Sequence, residues 1–221
     1  SRSDKSSATL AEASQVPDSN TQQLIPPVVK EPPPAVVTPT PVAVPVPTAP
    51  PQLFLYLVLQ NTNLIETYSI NNLDGKLVRI GSVNTNGPVL PLALHANKKY
   101  LYAGLDSQRS IAAYAINQST GLLSLEREVL IGIRPVYIYV DLKGKNLIIP
   151  SYADSRVAVL PLIEDGKLAN QISDLKNTGT NAHSAISIDE SRFVYVANTT
   201  ANTISHFGFD PATGILTTNV L

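Results

Sequence analysis

The sequence predicts an all-β chain, a β-propeller of four-stranded blades behind an extended proline-rich N-terminal segment. Three observations predict it. A strand-rich unit recurs about every 46 residues from Leu53 onward, each unit carries a Gly-x-Leu turn in the same place, and no window shows the 3.6-residue periodicity of an amphipathic helix.

The N-terminal region has different physics. Residues 1–51 hold 12 of the 18 prolines, none of the 11 glycines and no aromatic residue. Each proline fixes φ and removes a backbone donor, so neither helix nor sheet propagates there. A polar stretch followed by an extended polyproline II tether is expected over 1–51, with the blades filling 52–221. The stretch 25–51 would span roughly 80 Å at about 3.1 Å per residue. Its repeated Val and Ile residues also suit a strap that orders on a partner protein.

Each element of the repeat can be placed in turn. The runs FLYLVL (54–59), YLYAGL (100–105), LIIPSY (147–152) and FVYVAN (193–198) register on Tyr56, Tyr102, Ile149 and Tyr195. A second set, IETYSI, IAAYAI, VAVLPL and ISHFGF, registers on Tyr68, Tyr114, Leu160 and Phe207. The turns at Gly75, Gly121, Gly166 and Gly214 then start an outermost strand at the following Leu. The runs 89–95, 136–141 and 183–189 lead back to the next unit and are its innermost strand. The first blade therefore begins at its second strand. Residues 54–221 make about 3.7 units, too few for an ordinary closed ring. An open half ring exposes strand edges. The chain is expected to continue past Leu221, with a later segment supplying the first blade's innermost strand.

Composition narrows the function. The balance of 16 basic and 17 acidic residues, with no basic run, argues against nucleic acid or an anionic membrane surface as partner. The absence of cysteine removes disulfides, thiolate metal sites and a thiol nucleophile. No apolar run reaches the roughly 18 residues of a transmembrane helix. Asp154, Glu164 and Asp165 lie in turns without calcium-loop spacing, and no phosphate-binding or dinucleotide fingerprint occurs. No cofactor and no metal site are expected. The tether, with the lack of Cys and Met, points to a periplasmic, cell-surface or secreted protein.

The last full unit, NTGTNAHSAISIDESRFVYVANTTANTISHFGFDPATGILT, resembles the blades of the lactonase family of seven-bladed propellers, the family of the bacterial 6-phosphogluconolactonase and the fungal muconate-lactonizing enzyme. FVYVAN, TISHFGFDPATGIL and IAAYAINQSTGLLS carry the likeness, which extends over 54–221. The resemblance implies a site at one mouth of the central channel, with a His from a Pro-His segment and Arg and Glu residues from later blades. Ala182-His183 matches that segment with Ala in place of Pro, and the later positions would fall beyond Leu221. Gly87-Pro88-Val89 and Arg134-Pro135-Val136 occupy the same slot in earlier blades.

Two functions follow. One is an extracytoplasmic binding or scaffold propeller, part of a larger assembly reached through its proline-rich segment or a propeller face. The alternative is a lactone hydrolase acting on a small anionic lactone, with His183 as general base. Arg134, Asn181 and Ser184 are assigned to ligand binding. His95 sits in a turn-capping slot shared with Asp141 and Asp189, His206 on a blade surface, and the tyrosines at blade-period positions in the core.

Overall fold

The computed structural model describes residues 52–59 and 62–218, so the expected tether over 1–51 lies outside the described residues. The first blade contains β1 (Leu53–Leu59), β2 (Leu64–Ile70) and β3 (Leu77–Asn84); the second contains β4 (Val89–Leu94), β5 (Tyr100–Leu105), β6 (Ser110–Ile116) and β7 (Leu123–Leu130). The third contains β8 (Tyr139–Val140), β9 (Asn146–Ser151), β10 (Arg156–Ile163), β11 (Lys167–Leu168) and β12 (Asp174–Asn177). The fourth contains β13 (Ala182–Ile188), β14 (Phe193–Asn198), β15 (Thr203–Asp210) and β16 (Ile215–Thr218). Neighbours within each blade run antiparallel in chain order, and among the described residues the first blade has three strands, starting at its second.

Blades pack face to face, because alternate residues of each strand point to opposite faces. Ile65, Leu101, Ala103 and Tyr114 fill the first boundary. Tyr102, Ala113, Leu147, Ile149, Ala158 and Leu160 fill the second. Ile148, Val157, Val159, Val194, Val196 and Phe207 fill the third. The third unit corrects the sequence register. Leu160 pairs with Leu147 as Tyr114 pairs with Leu101, so Ile148 and not Ile149 is the counterpart of Tyr102 and Tyr195. A one-residue slip exchanges the faces of a strand, and Ile148 and Ile149 accordingly serve different boundaries.

Two other elements depart from the simple pattern. The innermost run 136–141 forms a ladder only at Tyr139–Val140. Opposite it, Pro150 has no N–H to give, although its carbonyl accepts from the Val136 N–H at 3.2 Å. The outermost strand of the third blade is split. The short β11 pairs with one end of β10 and β12 with the other.

Polar groups link the blades at regular places. The Tyr56 hydroxyl donates to the Gly121 carbonyl at 2.9 Å, and the Tyr102 hydroxyl to the Gly166 carbonyl at 2.5 Å. Ile148 has no hydroxyl for the corresponding Gly214 carbonyl, which accepts from Ser173 Oγ at 2.8 Å instead. His95 is buried and structural. Its Nδ1 accepts the Asn97 N–H at 3.3 Å, which leaves Nε2 to donate to the Gly144 carbonyl of the next blade at 3.0 Å. Asp141 fills the same slot one blade on, and its Oδ1 accepts the N–H groups of Lys145 (2.7 Å) and Asn146 (3.0 Å).

Candidate functional site

The candidate site begins with two irregularities in the innermost strands. β13 pairs with β14 through a register shift between Ala182 and Ser184, so His183 is the extra residue of a β-bulge. β4 shifts likewise between Val89 and Leu92. Bulges re-aim side chains that a regular ladder would hold on one face. Counting from the regular pairs Ala93↔Tyr102, Tyr139↔Ile148 and Ile186↔Tyr195, the residues equivalent to His183 are Leu90 and Val136. The sequence placed Val89 in that slot; the bulge moves it by one. Leu90, Val136 and His183 line a common cleft of about 500 Å³, together with Asp106, Arg134, Pro135, Tyr152 and Ala153.

Gly104 lets the cleft wall close. A β-carbon there would stand 2.6 Å from Pro91 Cγ and 2.9 Å from Pro135 Cγ, so the bare backbone is what allows both rings to press in. Pro135 then fixes the position of Arg134 beside it.

Arg134 makes a two-pronged ion pair with Asp106, Nε to Oδ1 at 3.0 Å and Nη2 to Oδ2 at 2.5 Å. The Asp106 hydrogen bond is the main cause, with its charge, of the raised Arg134 pKa. Arg134 side-chain exposure is 46%, against 18% for Asp106. The Arg134 N–H donates to Asp154 Oδ2 at 2.8 Å, and Ser151 Oγ donates to the same oxygen at 2.7 Å. Arg109 reaches Asp154 Oδ1 at 3.2 Å and the Gly132 carbonyl at 2.9 Å. Burial pushes the Asp154 carboxyl up, but the Arg134 N–H, Ser151 and Arg109 together outweigh it and hold it below the usual carboxylate range. Two hairpin turns and one inter-blade linker are thereby tied into one rigid group.

His183 is exposed in the cleft, with the Tyr152 ring edge-on at 6.0 Å and 87°. The structure therefore brings together two of the four residues assigned to the site, His183 and Arg134. Asn181 is not among the residues that line the cleft. With φ at +62°, it donates from Nδ2 to the Tyr152 carbonyl at 2.9 Å and from its backbone N–H to Ser155 Oγ at 3.0 Å. Ser184 faces another depression, beside Tyr137, Ile186, Tyr195 and Ile204. His206 is half-buried and stacks on Tyr195, with ring centroids 4.9 Å apart and planes 9° from parallel. Sequence reasoning missed Asp106 and Tyr152. Both are the first residue after a second strand, a slot whose residue type differs from one repeat to the next. Among the described residues, no three or more His, Asp or Glu side chains gather as a metal site would need. None of the described helices is long and apolar enough to cross a membrane.

Antiparallel sheets of three to five strands packed face to face, with a cleft along their innermost strands, define a β-propeller. The chain belongs to the lactonase family of seven-bladed β-propellers, whose family model matches residues 56–185. It is similar to the 6-phosphogluconolactonase of Blochmanniella floridana, 28% identical over 165 residues, covering 75% of this chain and 48% of that protein. It is also similar to the 6-phosphogluconolactonase of Buchnera aphidicola, 32% identical over 127 residues, covering 57% of this chain and 37% of that protein. The chain thus spans less than half the length of these curated relatives. Among solved structures it superposes on the periplasmic gluconolactonase of Pseudomonas aeruginosa with a TM-score of 0.66, at 16% identity, covering 76% of this chain and 50% of that one. A protein of Bacteroides uniformis gives a TM-score of 0.67 at 20% identity, covering 77% of this chain and 54% of that one. These likenesses to solved structures carry the fold.

Proposed function

We propose that the chain carries part of a lactone-hydrolysing site, and that His183 is its general base. The convergence of His183 with Arg134 and Asp106 in one inner-strand cleft carries the proposal. The family match and the curated relatives, named as 6-phosphogluconolactonases, support it and give the binding-scaffold reading no comparable support.

The chemistry suits these groups. A lactone is an ester whose alcohol and acid share one ring. The unprotonated imidazole nitrogen of His183 takes a proton from water as the water oxygen bonds to the lactone carbonyl carbon. The carbonyl π electrons move onto oxygen, and Arg134 provides guanidinium hydrogens for that developing charge. When the carbonyl re-forms, the bond to the ring oxygen breaks, and the imidazolium returns its proton to that oxygen. The product is one hydroxy acid, with no redox change. Tyr152 offers an aromatic wall for the ring of a sugar-derived lactone.

Location is tested by NMR, through the imidazole signals of His183 and His95. Titrating the full-length protein with the aldonate product should move the imidazole signals that vanish in His183→Ala and leave the buried His95 unmoved. Binding that leaves the His183 signals in place would overturn the proposed site.

A further inference from the structure

The Arg134–Asp106 pair raises a question of charge. The chain must fasten each blade to the next where a second hairpin meets the following linker, and it does so in two chemically different ways. Between the third and fourth blades, Asn181 Nδ2 donates to the Tyr152 carbonyl at 2.9 Å. Between the second and third, at the equivalent positions, Arg134 grips Asp106 through two charged hydrogen bonds. The equivalence follows from the pairing: Leu105, Ser151 and Asn198 end their strands in one register, so Asp106 corresponds to Tyr152, and Arg134 to Asn181. Neutral groups therefore suffice for the blade contact. The charged version is placed where both partners line the cleft.

The consequence is electrostatic. Among the described residues lining the cleft, Asp106 is the carboxylate and Arg134 the guanidinium, and they neutralise each other. The neighbouring pair, Asp154 with Arg109, is balanced in the same way. A phosphate group entering here would compete with the Asp106 carboxylate for the guanidinium edge that binds carboxylate and phosphate alike in two-pronged fashion. Its two negative charges would also lie close to that carboxylate. An uncharged sugar lactone meets neither obstacle.

We propose that Asp106 sets the charge selectivity of this cleft, so that it takes an unphosphorylated aldonolactone in preference to a phosphorylated one. The inference rests on the lactonase reading above. Asp106 acts here through Arg134, as a positioning and selectivity residue and not as a proton carrier.

The test compares kcat/KM for glucono-δ-lactone and for its 6-phosphorylated form in the full-length wild type, Asp106→Asn and Asp106→Ser. The wild type should favour the unphosphorylated lactone. Both variants should move the ratio toward the phosphorylated substrate by roughly tenfold or more, the scale of one charge-assisted hydrogen bond released to a phosphate. A purely structural Asp106 would lower both rates together and leave the ratio unchanged; that result overturns the inference. So does a wild type that prefers the phosphorylated lactone. If wild type hydrolyses neither lactone, the lactonase reading itself fails, and this inference falls with it.

Discussion

The hydroxyl of Tyr102 donates to the Gly166 carbonyl at 2.5 Å, across the boundary between the second and third blades. Tyr102 is fully buried, and Gly166 lies at φ +110°, a conformation that side chains other than glycine rarely adopt. The bond joins a core tyrosine to the turn that starts the next blade's outermost strand. Tyr102→Phe should cost about 1–3 kcal/mol, because it leaves a buried carbonyl without a donor. Tyr56→Phe, which breaks the same bond at a half-buried position, should cost less. Urea denaturation of the two variants measures the difference.

Burial also governs the alkaline limit. It pushes the Tyr114 phenol up to about 12 and raises Tyr102 further. Both are neutral acids whose folded pKa lies above the ordinary value of 10.0. Their contribution to stability is therefore complete below pH 10 and is lost as pH rises toward their folded values. Ultraviolet titration should show exposed tyrosines ionising first, with Tyr102 and Tyr114 following only as the blades unfold.

Asp154 sets an acid limit of opposite sign. Its folded pKa is lowered, so its contribution is present above the ordinary carboxyl value of 3.8 and is lost as pH falls below it. Asp154→Ala removes the acceptor for Ser151, Arg109 and the Arg134 N–H. It should cost about 1–3 kcal/mol at neutral pH. It should also flatten the acid arm of a stability-against-pH curve.

Gly104→Ala tests the cleft wall. The new methyl meets Pro91 and Pro135 well inside contact distance, and neither ring can swing away as a long side chain would. Overpacking of this kind costs typically 1–3 kcal/mol. Because Pro135 adjoins Arg134, the variant should lose lactone turnover even at temperatures where it stays folded.

Much of this architecture is legible in the chain. Tyr56 and Tyr102 recur at the blade period, and both occupy inter-blade positions. His95 aligns with Asp141, and both cap the same turn. The register failed at Ile149 because a run of apolar residues, LII, offers two adjacent positions that satisfy the pattern equally. Only pairing with Leu160 distinguishes them. The site was half legible. His183 and Arg134 stand in recognisable linker slots, whereas Asp106 is tied to Arg134 across 28 residues of chain, a separation that local pattern does not reveal. Ser184, the next residue after the bulge, lines a different depression from His183.

The proposed hydrolysis has His183 as its base. Acid release from glucono-δ-lactone, above the spontaneous rate, tests it in full-length wild type beside His183→Ala. The wild type should release acid, and the variant should lose about 10²–10⁴-fold in kcat with an unchanged unfolding midpoint. Wild-type turnover retained in folded His183→Ala would contradict it.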